Sequence, residues 1–180
     1  MSNLPVIDPA DATGRTADLL GTARTQLGGT PNMIKTMANS PALLDAYLAM
    51  AAKLATGELP AAVRERLAIT IAQYDGCSYC LSAHTYLGGA VAKIEADELE
   101  RARFAKSDDP HTGALLALAD AIVRTRGHLD AETLTAARSN GVTDAEIGEV
   151  VGHVAINVLT NYFNVLADVE IDWPVTVSAE

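Results

Sequence analysis

The chain has 180 residues, 49% hydrophobic and 20% charged, enough apolar material for one domain with a sizeable core. Its formal net charge of −10, with no block of Lys and Arg, removes the attraction that nucleic acid or an anionic membrane surface requires, so neither is expected as a partner. The segment from Met1 to Pro9 has no basic stretch leading into an apolar run, and Asp45, Asp120 and Glu149 interrupt the richest apolar segments, which predicts a cytoplasmic protein without a membrane span.

Nearly every segment has helical period and good helix formers, and the expected fold class is all-α. After a loose opening of about 14 residues, a first helix is expected over Arg15 to Leu27, stopped by Gly28-Gly29-Thr30-Pro31, with a short one over Asn32 to Ala38. Ser40-Pro41 reads as a cap with proline at the first helical position, opening Ala42 to Thr56. Gly57 to Pro60 separates this from a helix over Ala61 to Tyr74. Asp75-Gly76 then hands over to another that begins at or just after Cys77 and runs to about Val91. Further helices are expected over Ala96 to Lys106, Pro110 to Arg126 and Ala131 to Ser139, the last capped by Asp130. Thr143-Asp144-Ala145-Glu146 has the spacing of a capping box and introduces a long final helix to about Val169. The tail beyond Trp173-Pro174 is expected to be irregular, and residues 1–180 form one domain with no repeat.

The only two cysteines lie three apart in Cys77-Ser78-Tyr79-Cys80, at the start of a helix, where free amides and the positive dipole end favour thiolate at both sulfurs. A reducing compartment disfavours a static disulfide there, and so small a loop constrains the unfolded chain little, so the pair reads as redox chemistry. Cys77, Cys80 and His84 fall at i, i+3 and i+7 on one helix face. His84 accepts and returns protons near neutrality, and Glu65, on the preceding helix, can orient it. The four candidate catalytic residues are therefore Glu65, Cys77, Cys80 and His84. One thiolate attacks the O–O bond of a peroxide, and a second thiol condenses with the resulting sulfenic acid before over-oxidation.

Glu65, Cys77-Ser78-Tyr79-Cys80 and His84, led in by Gly57-Glu58-Leu59-Pro60 and Arg64-Glu65-Arg66-Leu67-Ala68, resemble the signature of the alkylhydroperoxidase D-like (AhpD-like) group of the carboxymuconolactone decarboxylase superfamily. Thr160-Asn161-Tyr162-Phe163-Asn164 and Asp172-Trp173-Pro174 resemble the ending of many members. The resemblance implies an AhpD-like helical bundle assembled as a trimer or hexamer, and thiol-dependent peroxidase activity with no cofactor and no metal. It also implies Cys80 as the attacking and Cys77 as the resolving cysteine, with a peroxide substrate and a thiol or dithiol reductant, protein or lipoyl. The best-studied branch carries histidine inside the motif where this chain has Tyr79, and members that decarboxylate a lactone generally lack the cysteine pair.

Alternatives stand beside this reading. The pair could instead serve a thiol–disulfide oxidoreductase or redox sensor that acts on a protein or lipoyl partner without significant peroxide turnover. Zinc binding by Cys77, Cys80 and His84 needs a fourth ligand, for which His111, His128 and His153 lack motif spacing. His153, Asn157, Thr160 or Asn161, and Asn164 form a polar stripe on the final helix, read as pocket lining or as an interface network and left outside the catalytic set. The acidic run Glu95 to Glu100 reads as a solvated face. So many helices read as apolar around much of their circumference that a homo-oligomer is expected.

Overall fold

A computed structural model of the chain describes residues 2–179; Met1 and Glu180, the ends of the expected domain, lie outside the described residues. The fold is all-α. Among the described residues nine helices run in order: α1 Gly14–Leu27, α2 Asn32–Met37, α3 Pro41–Leu54, α4 Ala61–Asp75, α5 Ser78–Ala90, α6 Ala96–Arg103, α7 Pro110–Thr125, α8 Ala131–Ser139 and α9 Asp144–Ala167.

Local chemistry sets these limits. Ser40, Asp109 and Asp130 accept from the amides three residues on, and Thr143 with Glu146 closes a reciprocal capping box at α9. Proline occupies the first helical position of α3 and α7, where its missing N–H costs nothing. Several helices stop short of their sequence-based ends. α9 ends at Ala167 rather than Val169 because Asp168 turns left-handed (φ 48°) and returns its amide to the carbonyls of Asn164 and Val165.

α4 is the hub. Val63, Leu67, Ala68, Ile69, Thr70, Ile71 and Ala72 are all buried, so the helix is enclosed on nearly every side, packed against α5, α6, α7 and α9. One hydrophobic cluster takes residues from all nine helices, with Leu67, Ile69, Leu115, Leu116 and Val150 among its fully covered members. Truncating a residue such as Ile69 to Ala costs about 2–5 kcal/mol, because the enclosed space cannot collapse. Leu59–Glu149, Asp75–Asn161 and the hydrogen-bonded ends between them run α4 and α9 in the same direction, and α5 folds back along α4.

Two expectations are corrected. The interruption at Glu149 leaves Val150 to Ala167 free of Asp, Glu, Lys and Arg, so α9 is long and apolar enough by composition to cross a bilayer, with mean hydropathy 1.3. Half of that stretch is buried in the fold and its Asn side chains are hydrogen-bonded there, which makes it a core helix. The acidic run from Glu95 is not uniformly solvated either. Glu98 pairs with Arg66 and Arg101 and accepts from the Ser107 hydroxyl and the Asp108 amide; burial alone would raise its carboxyl, and these partners hold it below the usual range.

The tail has no helix or strand, as expected, yet it is tied down along α5. Ser82 Oγ accepts from the Val177 amide at 2.9 Å, Ser78 Oγ from the Ala179 amide at 3.1 Å, and Gln73 donates to the Ala179 carbonyl at 2.9 Å.

Candidate functional site

The turn between α4 and α5 builds the site. Gly76 adopts φ +70°, where a side chain is strained by about 1–2 kcal/mol, and the Cys77 amide reaches back to the Ala72 carbonyl at 3.0 Å, closing a Schellman-type stop. Cys77 is thereby placed as the N-cap of α5, its Sγ accepting from the Cys80 amide at 3.2 Å. The two cysteines are free, and their sulfurs lie 2.7 Å apart in a shared hydrogen bond.

The expectation of thiolate character at both sulfurs is corrected. The hydrogen bond with Cys80 is the main reason that the Cys77 thiol falls below its usual value, with the amides of Cys80 and Tyr79 helping and burial opposing. Cys80 sits one turn inside the helix, its own amide already spent on Cys77. Burial, then the Cys77 sulfur, push its thiol well up, against a hydrogen bond from Asn164. The first proton therefore leaves the pair with the charge centred on Cys77, while Cys80 keeps its proton.

All four sequence-predicted residues come together. His84 Nδ1 lies 2.8 Å from Glu65 Oε2, a pairing that leaves Nε2 as the nitrogen free to exchange a proton. Cys80, His84 and Glu65 line one cavity of about 670 Å³, whereas Cys77 does not reach it. Cys77 is 1% and Cys80 3% exposed, so both are shielded from the surface and only Cys80 borders the cavity.

The far wall is the polar stripe of α9. His153, Asn157, Thr160 and Asn164 line the cavity, and Asn164 Nδ2 donates to Cys80 Sγ at 3.0 Å. Asn161 faces another way, donating to Asp75 Oδ2 at 2.9 Å; burial raises the Asp75 carboxyl and this bond partly offsets it. The stripe was legible as polar residues recurring at helical spacing on an apolar helix. Burial, then the Arg64 charge, lower the His153 imidazole and keep it neutral.

Sequence reasoning gave no role to three further lining residues. Tyr47 stays protonated, its hydroxyl pushed up to about 12 by burial and by the charges of Cys80 and Glu65. Tyr79, inside the cysteine motif, is a brace: its hydroxyl donates to Asp172 Oδ1 at 2.9 Å and accepts from the Met33 amide at 3.2 Å, tying α5 to α2 and the tail. Trp173 follows, its ring 6.0 Å from that of Tyr86 and on the cavity wall. Neither tyrosine had a sequence signal beyond its position.

Among the described residues no group of three or more His, Cys, Asp or Glu converges as metal donors. His111, weighed as a zinc ligand, instead bonds Glu146 at 2.9 Å.

The model of the carboxymuconolactone decarboxylase family matches residues 41–121, which hold the whole cysteine motif, Glu65 and His84. Two crystal structures share the fold. One is an uncharacterized peroxidase-related protein with an alkylhydroperoxidase AhpD core from Ralstonia eutropha JMP134, with a TM-score of 0.83 and 21% identity over 95% of this chain and 92% of that one. The other is an uncharacterized peroxidase-related protein from Silicibacter sp. TM1040, with a TM-score of 0.80 and 21% identity over 99% and 94%. The debrominase Bmp8 is also similar, at a TM-score of 0.77 and 23% identity over 95% and 91%. No curated protein sequence matches the chain. Over residues 41–121 the chain is thus similar to the carboxymuconolactone decarboxylase family, and its fold is the all-α AhpD-like fold of these structures.

Proposed function

We propose that this protein is a thiol-dependent peroxidase that reduces organic hydroperoxides through Cys80 and Cys77. The observation that carries the reading is that Cys80, and not Cys77, opens onto an organic-sized cavity that also holds the His84–Glu65 pair. A fold that also hosts a debrominase does not choose between electrophiles; the residues do.

The Cys80 proton passes to His84, and the Cys80 thiolate attacks the terminal oxygen of the hydroperoxide. The O–O bond breaks, Cys80 becomes a sulfenic acid, and the departing alkoxide takes a proton from His84, which Glu65 orients and stabilises as the imidazolium. The Cys77 thiolate then attacks the Cys80 sulfur, and hydroxide leaves as water on protonation. An external dithiol reduces the disulfide and is itself oxidised, which returns both thiols. Burial of both sulfurs disfavours the alternative, exchange with a protein disulfide at an exposed surface.

The same reading includes a homo-oligomer, trimer or hexamer, supported by the exposed Val151, Tyr162, Val165 and Leu166 along one outer face of α9. Consumption of cumene hydroperoxide with a small dithiol as reductant tests the activity. It is expected to vanish in Cys80→Ser, and to stop after one turnover in Cys77→Ser with a sulfenic acid trapped at Cys80. Full activity in Cys80→Ser ends the proposal.

A further inference from the structure

Three arginines among the described residues have no carboxylate within salt-bridge range: Arg24, Arg64 and Arg126. Arg24 and Arg126 are exposed, where water solvates the charge. Arg64 is half-buried and lines the cavity. Its only protein partner is the Leu59 carbonyl, which accepts from Nη1 at 2.7 Å and leaves the rest of the guanidinium fork unused. The carboxylate that could have neutralised it, Glu149, is spent on the amides of Glu58 and Leu59 at 2.7 and 3.0 Å. The neighbouring Glu65 is engaged by His84.

Arg64 has company at this end. His153, 94% buried by its 6% exposure, has a ring nitrogen, Nε2, with no hydrogen-bond partner, an expensive vacancy of donors and acceptors inside a fold. Cys80 lies at the other end of the same wall, against Asn164. His153 and Asn164 are eleven residues apart on α9, which at the rise of an α-helix separates them by about 16 Å. Between the two ends the cavity is largely apolar, with Leu54, Ala68, Ala83, Leu87, Ile156 and Trp173 on its walls.

From this layout we infer that the cavity takes an amphiphilic acid, its carboxylate held by Arg64 and its apolar body laid along α9 toward Cys80. The inference rests on the peroxidase reading only for what Cys80 does to the bound molecule, which would be a hydroperoxide of a medium- or long-chain carboxylic acid. Glu58 and Glu149 oppose an anion weakly, since both lie on the loop side of Arg64 and Glu149 is already compensated by two amides.

Trp173 is the only tryptophan and lines the cavity, so its fluorescence reports occupancy without any reaction. Decanoate and methyl decanoate share the same acyl chain and differ in the charge and one methyl group, and the methyl favours the ester, so a preference for the acid reads the charge. In the wild-type protein decanoate is expected to bind about tenfold more tightly than its ester, the worth of a charge-assisted bond of about 1.4 kcal/mol. The preference should collapse in Arg64→Gln and return in Arg64→Lys, which restores the cation. Equal binding of acid and ester in the wild-type protein overturns the inference with no variant needed, and so does a preference retained in Arg64→Gln. Loss of cumene hydroperoxide turnover with the binding preference intact would instead defeat the peroxidase reading and leave the acid site standing.

Discussion

Asn164→Leu isolates the one side chain from outside α5 and its N-cap that hydrogen-bonds the sulfur proposed to attack, Cys80 Sγ. Asn164 Nδ2 lies 3.0 Å from Cys80 Sγ, in a buried setting where a hydrogen bond to a charged acceptor is worth about 1.5–3 kcal/mol. At 1.36 kcal/mol per pH unit, its removal moves the Cys80 ionisation midpoint up by about one to two pH units. The thiolate fraction at neutral pH then falls about ten- to a hundredfold, but a more basic thiolate is a better nucleophile, and a Brønsted slope of about 0.4–0.5 recovers roughly half of that on a logarithmic scale. The net expectation is an attack slowed about three- to tenfold near pH 7, with the gap closing as pH rises. Leucine is close in volume, and Asn164 Oδ1 has no partner to lose, so the fold should hold. The assay is the pH dependence of Cys80 alkylation by iodoacetamide in a Cys77→Ser background, followed by mass, alongside single-turnover peroxide loss. A midpoint that stays put, or moves down, refutes the assignment of Asn164 as the thiolate's partner.

Other perturbations read other parts of the fold. Glu65→Gln keeps the shape of the His84 contact and removes its charge; kcat should drop about tenfold or more while KM holds, and the acid limb of the pH–rate profile should move, which a purely structural loss would not do. Glu146 raises the His111 imidazole above its ordinary value, through a hydrogen bond that burial only partly opposes. That contribution is complete below about pH 6.5 and disappears as pH rises through the raised value, so His111→Gln should flatten melting temperature against pH across that window, and an unchanged slope contradicts the pairing. Leu166→Glu on the exposed face of α9 should weaken self-association about tenfold or more, since a leucine buried at an interface contributes about 1.5–3 kcal/mol. Sedimentation velocity reads it, and a wild-type protein that runs as a monomer at micromolar concentration removes the premise.

The hairpin of α4 and α5 explains why the candidate catalytic residues were legible in sequence. Gly76 marks the fold-back point, and Glu65 and His84 lie at comparable distances on either side of it, so two antiparallel helices must bring them abreast. Spacing along one helix gave the rest, since Cys77, Cys80 and His84 share a face whatever else surrounds them. The charge distribution within the pair was not legible, because it depends on where the helix starts: one residue decides that the free amide serves Cys77 and leaves Cys80 to burial. The cavity's far wall was visible only as a pattern without a destination. Asn164 meets Cys80 across 84 residues, and Asp172 meets Tyr79 across 93, contacts that local periodicity cannot encode.

α9 mixes polar residues into its buried side and leaves large apolar ones on its outer face, and that placement links the cavity to the outer face. Its inward side carries His153, Asn157, Thr160 and Asn164, while its outward side carries Val151, Tyr162, Val165 and Leu166. Folding a monomer rewards the opposite placement, because apolar burial is its main driving term and buried amides need partners. Two compensations make the inward polar face tolerable. Asn157 and Thr160 bond back to carbonyls of their own helix, and Asn164 spends its donor on sulfur. Three atoms of α9 are left over without a protein partner: His153 Nε2 and Asn164 Oδ1 belong to residues of the cavity wall, and Asn161 Oδ1 to a residue that faces Asp75 instead. The outward face has no such internal remedy, for only another surface can cover it. A helix built this way stabilises its fold least when the cavity is empty and the outer face is bare, so a bound acid and a covered outer face should each raise the melting temperature. Decanoate should therefore stabilise the wild-type protein measurably and Arg64→Gln little; stabilisation of both to the same extent would mean that the polar wall of α9 plays no part in holding the acid.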